Sequence, residues 1–75
     1  MKDPNKVKEV VLKAVVEITG FPEDSIEVDQ RLLDDLNLDS IKAGELINLI
    51  GKNLEVQLEA SEFLNAKLEE IIGRI

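Results

Sequence analysis

Residues 20–39 set the tightest limit on what this chain can fold into. The helical period of the preceding residues stops there, and no clean alternation replaces it. Apolar side chains nevertheless keep recurring between the acids: Phe21, Ile26, Val28, Leu32, Leu33 and Leu36. A chain of 75 residues lies near the size at which a single core only just suffices. It has no cysteine, so no disulfide can reinforce that core. A structureless connection of this length is uncommon in so small a domain. The apolar residues are therefore expected to pin the connection across the flanking helices, with a short turn around Asp24–Ile26. Val28 to Leu33 does not alternate, so no strand is expected.

The flanking segments read as helices. Asp3 suits an N-cap and Pro4 the first helical position. Val7, Val10, Val11, Ala14, Val15 and Ile18 then form one broad apolar stripe. Gly20 reads as the stop, with Pro22 close behind. A second helix is expected from Ser40 to Asn53, capped by Asp39. Ala43, Leu46, Ile47 and Ile50 mark its buried face, which Leu49 broadens. Ile41, Gly44, Glu45, Asn48 and Lys52 mark its exposed face. Gly44 and Gly51 inside this helix each cost roughly 1 kcal/mol relative to alanine, which packing must offset. After a connection over Leu54–Glu59, a short helix or turn is expected at about Ser61–Leu64. A last one should run from Ala66 or Lys67 to Gly73, with Leu68, Ile71 and Ile72 inward. The expected fold is all-α: one domain over residues 1–75, a four-helix bundle with one short helix and a long first loop.

Composition narrows the function. Histidine is absent as well as cysteine, which removes the commonest general base and metal ligand. No apolar run approaches a membrane span, and the N-terminus lacks a signal-peptide pattern. A soluble, cytoplasmic monomer is expected. It is also expected to be free-standing, since the sequence begins at Met1 and amounts to one domain. The formal net charge is −7, and it is unevenly placed. Residues 23–45 hold eight acids against two bases, whereas residues 1–22 hold three acids against four bases. Nucleic acid is disfavoured as a partner, because phosphate neutralisation needs a basic patch. A protein with a basic docking surface is favoured.

The acidic stretch closes at Asp35-Leu36-Asn37-Leu38-Asp39-Ser40-Ile41. A serine in the first turn of a helix is exposed, with its hydroxyl near the positive end of the helix dipole. A phosphodiester formed there would be stabilised by free backbone N–H groups. Neither Ser25 nor Ser61 has this setting.

The motif resembles the attachment site of acyl carrier proteins, usually Asp-Leu-Gly-x-Asp-Ser-Leu. Chain length, acidity, helix order and the Val56–Leu58 stretch extend the resemblance over essentially the whole chain. It implies a carrier rather than an enzyme, with Ser40 bearing 4′-phosphopantetheine and Asp39 both capping the helix and supporting the modification. It implies as partners a phosphopantetheinyl transferase, an acyltransferase or ligase, and a ketosynthase or other biosynthetic enzymes. Asp35, Ile41, Lys42, Gly44, Glu45 and Asn48 would then form the docking face. Ala43, Ile47 and Leu33 could line an acyl groove, although plain core is the stronger reading of those side chains. The sequence departs from the family pattern in places. Asn37 replaces glycine and can keep a left-handed turn. Lys42 stands where fatty-acid carriers usually have an acid, and Gly44 and Asn48 where they often have apolar residues. These changes suit a specialised polyketide or fatty-acid-like pathway.

Rival readings fit less well. A serine hydrolase needs a base near Ser40, and Lys42 at i+2 points away from it. Asp35, Asn37 and Asp39 match the first odd positions of a calcium-binding EF-hand loop. Its sixth and twelfth positions would be Ser40 and Leu46 rather than glycine and glutamate. An unmodified helical interaction domain leaves the motif unexplained. A peptidyl carrier would show Gly-Gly-x-Ser and less acid, although aminoacyl or D-alanyl cargo stays open.

Overall fold

The structure, a computed structural model, describes residues 3–75. Helix α1 spans Pro4–Thr19, α2 spans Ser40–Leu54 and α3 spans Leu68–Arg74. Two single 3-10 turns, Glu23–Ser25 and Ala60–Glu62, interrupt the connections. Among the described residues there is no strand, and no helix is long and apolar enough to cross a membrane.

The ends of α1 follow from its capping residues. Asp3 accepts a hydrogen bond from the Asn5 N–H at 2.9 Å, and Pro4 opens the helix. Gly20 closes it at φ 76°, donating its N–H to the Val16 carbonyl, a conformation that glycine adopts without a steric penalty. Val7, Val11, Ala14 and Val15 are buried, with Val10 and Ile18 half-buried at the edges of the stripe. This face packs on α2 through Ala43, Leu46, Ile47 and Ile50.

Of the short helix or turn expected near Ser61–Leu64, the turn is what forms, so the bundle has no fourth α-helix among the described residues. The Ala60–Glu62 3-10 turn is closed by Glu62 N–H to Glu59 O and Phe63 N–H to Ala60 O. No side chain caps its start. Phe63 enters the core immediately after it, and Asn65 and Ala66 are drawn into bonds with the long connection. Too little chain remains for an α-helical turn. The described residues are all-helical, with three α-helices.

The long connection is ordered, as expected, but backbone bonds hold it as well as apolar burial. Ile26, Leu32 and Leu36 are buried in the core. A fully buried leucine contributes about 2 kcal/mol. Residues 28–32 also run antiparallel to residues 66–69. Leu32 N–H donates to Ala66 O at 3.1 Å, Leu68 N–H to Gln30 O at 3.1 Å and Glu69 N–H to Val28 O at 2.8 Å. An isolated bridge, Arg31 to Lys67, is the only sheet-like element among the described residues. The first donors of α3 are thus satisfied by the connection, and Glu70 accepts from the Lys67 N–H at 3.2 Å.

The end of α2 explains Gly51. Glu55 adopts the left-handed conformation at φ 55° and ψ 41°. Val56 N–H returns to Gly51 O at 2.9 Å, the pattern of a Schellman cap. A Cβ on Gly51 would meet the Val56 carbonyl oxygen at 2.8 Å. Replacing Gly51 with alanine should therefore destabilise the fold by about 1–3 kcal/mol through overpacking, despite alanine's better helix propensity. Glu55→Gly should stabilise it by about 0.5–1 kcal/mol, because the left-handed penalty is relieved. Urea unfolding of both variants checks the pair. A Gly51→Ala variant as stable as the parent would show that the returning chain is not held there.

Candidate functional site

The residues before Ser40 form a closed loop. Asp35 and Leu36 donate their N–H groups to Arg31 O at 3.1 and 3.0 Å. The Asp35 carboxylate accepts from the Arg31 N–H at 2.7 Å. Leu38 N–H then donates to Leu32 O at 3.1 Å. The reversal between these bonds falls on Asn37, at φ 58°. Asparagine is among the few side chains that tolerate this region, because its amide finds local polar partners there. The motif's departure from glycine therefore leaves the turn intact.

Asp39 starts α2. Its backbone is extended, its Oδ1 accepts from the Lys42 N–H at 2.7 Å, and its carbonyl accepts from Ala43 N–H at 2.9 Å. Ser40 is the first residue of the helix and is exposed. One turn on, Ala43, Leu46 and Ile47 are wholly buried. Ser40 therefore faces solvent from a helix anchored on its opposite side. The first N–H groups of any α-helix lack intrahelical partners. Here Asp39 takes that of Lys42, and those of Ser40 and Ile41 stay free for an anion at the hydroxyl.

The other two serines have different surroundings. Ser25 lies in a 3-10 turn and donates its hydroxyl to Pro22 O at 2.8 Å. Ser61 lies in the second 3-10 turn. Ser40 alone among the three heads an α-helix.

The structure sorts the remaining predicted site residues. Asp35, Ile41, Lys42, Glu45 and Asn48 are exposed on or beside α2. Ile41 is 72% exposed, an unusual position for a large apolar side chain. Lys42 pairs with Glu45 at 3.7 Å. That pair is solvated on both sides, so its stabilising value is small. Gly44 departs from expectation. It is half-buried, and a Cβ there would point at the Ala60 Cβ at 4.0 Å, so it faces the second 3-10 turn. Ala43 and Ile47 are core residues, and Leu33 is half-buried in the loop. Of these three, Ile47 borders a cleft of about 230 Å³ shared with Asn48, Gly51, Lys52, Val56, Gln57 and Leu58. Among the described residues no group of three or more acidic side chains is placed to hold a metal ion. Asp35 and Asp39 each spend an oxygen on a backbone N–H instead.

Asn65 and Arg31 were not foreseen. Asn65 Oδ1 accepts from the N–H groups of Leu33 and Asp34, and its carbonyl accepts from Arg31 Nη1 at 3.0 Å. Neither residue belongs to a periodic pattern or a motif, so the sequence carries no signal for them.

Over residues 9–75 the chain matches the family described as the phosphopantetheine attachment site. The chain belongs to this family. It matches no curated protein and no solved structure. It is a carrier domain rather than a catalyst, and its prosthetic group is covalently attached 4′-phosphopantetheine. Carrier domains of this kind interact with phosphopantetheinyl transferases and with biosynthetic enzymes. When attached, the group supplies a flexible arm ending in a thiol that holds cargo as a thioester. An exposed hydroxyl with free N–H groups beside it fits the phosphate end of that arm.

The turn at Asn37 gives a direct check on this local geometry. Asn37→Gly should be as stable as the parent to within about 0.5 kcal/mol. Asn37→Val should lose about 1–2 kcal/mol, since a β-branched residue resists positive φ. Equal stability of the two variants in urea would mean that the turn does not need the left-handed conformation.

Proposed function

We propose that Ser40 carries the 4′-phosphopantetheine arm, and that the carrier passes acyl intermediates between enzymes of a specialised polyketide or fatty-acid-type pathway. The supporting observation is the setting of Ser40, exposed at the head of α2 between the Asp39 cap and the free N–H groups. The chain contributes position and recognition. Asp39 fixes the first turn, the buried face of α2 anchors it, and Ser40 is left open to a transferase.

The docking face lies on the exposed side of α2 and the loop before it. Ile41 offers apolar contact next to the arm, Glu45 and Asp35 offer charge to a basic partner surface, and Asn48 extends the face by a turn. Gly44 lies apart from this face, turned toward Ala60. The pairing of Lys42 with Glu45 makes this face less uniformly acidic, which favours partners other than those of a housekeeping fatty-acid carrier. Of Ala43, Ile47 and Leu33, only Ile47 borders a surface cleft, so an acyl chain held by these residues would have to enter the core between the helices. The carrier works as a cytoplasmic monomer, with an acyltransferase or ligase and a ketosynthase among its partners.

Incubation with coenzyme A and a permissive phosphopantetheinyl transferase should add one phosphopantetheine to the parent chain and none to Ser40→Ala. Intact-protein mass spectrometry reads the result. No addition to the parent, or addition that survives Ser40→Ala, overturns the assignment.

The docking face predicts a different signature. Ile41→Ser and Glu45→Lys alter exposed side chains, so stability should stay within about 0.5 kcal/mol of the parent. Both should slow transfer from the loaded carrier to its partner enzymes. The loss for Glu45→Lys should shrink as salt rises, because exposed charges are screened beyond about 10 Å at 0.1 M. Salt-independent, parental rates for both variants would place docking elsewhere.

A further inference from the structure

We propose that Asn65, remote in sequence from the attachment motif, is a positioning residue for Ser40. The inference rests on Ser40 being the attached residue. Asn65 lies between the second 3-10 turn and α3. Its Oδ1 accepts from Leu33 N–H at 3.1 Å and Asp34 N–H at 3.2 Å, and its Nδ2 donates to the Asp34 carboxylate at 3.0 Å. Its carbonyl accepts from Arg31 Nη1 at 3.0 Å. One residue thus grips the loop that leads to the motif at three residues, Arg31, Leu33 and Asp34.

The side chain suits the task chemically. Two N–H donors and one carboxylate call for an acceptor and a donor on a single short group, and a carboxamide has both. Aspartate would set a second carboxylate against Asp34. An apolar residue would leave the Leu33 and Asp34 N–H groups without their partner.

The grip reaches Ser40 through bonds that can each be named. The gripped loop closes on itself between Arg31 and Leu36, and Leu32 O holds Leu38 N–H. Leu38 is followed directly by the Asp39 cap and by Ser40. The first turn of α2 is therefore tied at one end to its own helix and at the other to Asn65. Without the Asn65 side chain the loop keeps its buried leucines and its backbone bonds to residues 66–69 but loses its hold at Leu33 and Asp34, so the cap loosens and the first turn frays more often. A misplacement of about 1 Å at a reacting group can cost on the order of 100-fold in rate. Partial fraying should cost about tenfold.

The test compares the parent with Asn65→Ala, Asn65→Asp and the double exchange Asp34→Asn with Asn65→Asp. The double exchange reverses donor and acceptor, keeps the net charge and rebuilds the contacts. Amide hydrogen exchange on the unmodified chain is the first readout. Asn65→Ala and Asn65→Asp should speed exchange at Leu33, Asp34, Lys42 and Ala43 while the amides in the middle of α1 keep parental protection. A purely global loss of stability would speed all of them together. Steady-state modification by the transferase is the second readout, under conditions where every variant is folded. The single variants should lose about tenfold in kcat with KM little changed, and the double exchange should recover it. Parental exchange at Lys42 and Ala43 in the single variants overturns the proposal, and so does a parental kcat. Should Asn65→Ala fail to fold, Asn65→Asp and the double exchange decide by the same criteria. If the parent itself accepts no phosphopantetheine, the attachment reading fails. The exchange data then still decide whether Asn65 holds the start of α2.

Discussion

The structure depends on the crossing of the long connection over the start of α3. Leu32, Leu68 and Glu69 donate across it, to Ala66, Gln30 and Val28. Helix α3 has only seven residues, too few to hold itself together in water. Its first donors need partners, and the connection provides carbonyls for them. The connection, for its part, has no regular structure over most of its length and would be mobile without that edge. Leu32, Leu68 and Ile71 are wholly buried together in the core. Each element is ordered by the other, so a chain of this size folds without a disulfide.

That crossing also determines what the acidic residues can do. Residues 23–45 hold eight acids, which by composition alone look like one docking surface. The structure divides them. Asp35 caps Arg31, Asp39 caps Lys42, and Asp34 binds the Asn65 amide. Each keeps solvent exposure, so each still contributes to the field that a partner senses. Their positions, however, are dictated by backbone donors. The charge this surface presents is charge that the loop already needed to hold its shape.

The sequence was informative where structure rests on local rules. The boundaries of α1 and α2 follow from Asp3, Pro4, Gly20 and Asp39, and from apolar residues at helical spacing. The left-handed turn at Asn37 was legible because few side chains suit it. The ordering of the connection was legible from its leucines. What stayed hidden depends on residues far apart in the chain. The Asn65 contacts span more than thirty positions, and nothing near Asn65 announces them. The short segment expected over Ser61–Leu64 as a helix or turn is a 3-10 turn, because Phe63 and Ala66 are claimed by the core and by the connection. Glu55 breaks the local rule outright. Glycine or asparagine is the usual left-handed cap, and here the compactness of the α2 exit, set by Gly51, imposes the conformation on a glutamate.

A carrier has to reconcile two demands on one helix. The serine must be open to several enzymes in turn, and it must stay in place while each of them works. In α2 these demands fall on opposite faces and at opposite levels of order. Ala43, Leu46, Ile47 and Ile50 fix the helix from beneath, while Ser40, Ile41 and Glu45 face outward with few internal contacts. The exposed face is therefore free to vary without disturbing the fold, and this chain departs from the common motif mainly there. Lys42 reaches Glu45 at little energetic consequence to stability, yet it changes the local charge one turn from Ser40. That face can be rewritten without moving Ser40, because the forces that hold Ser40 in position lie on the other side of the helix and in the loop behind it.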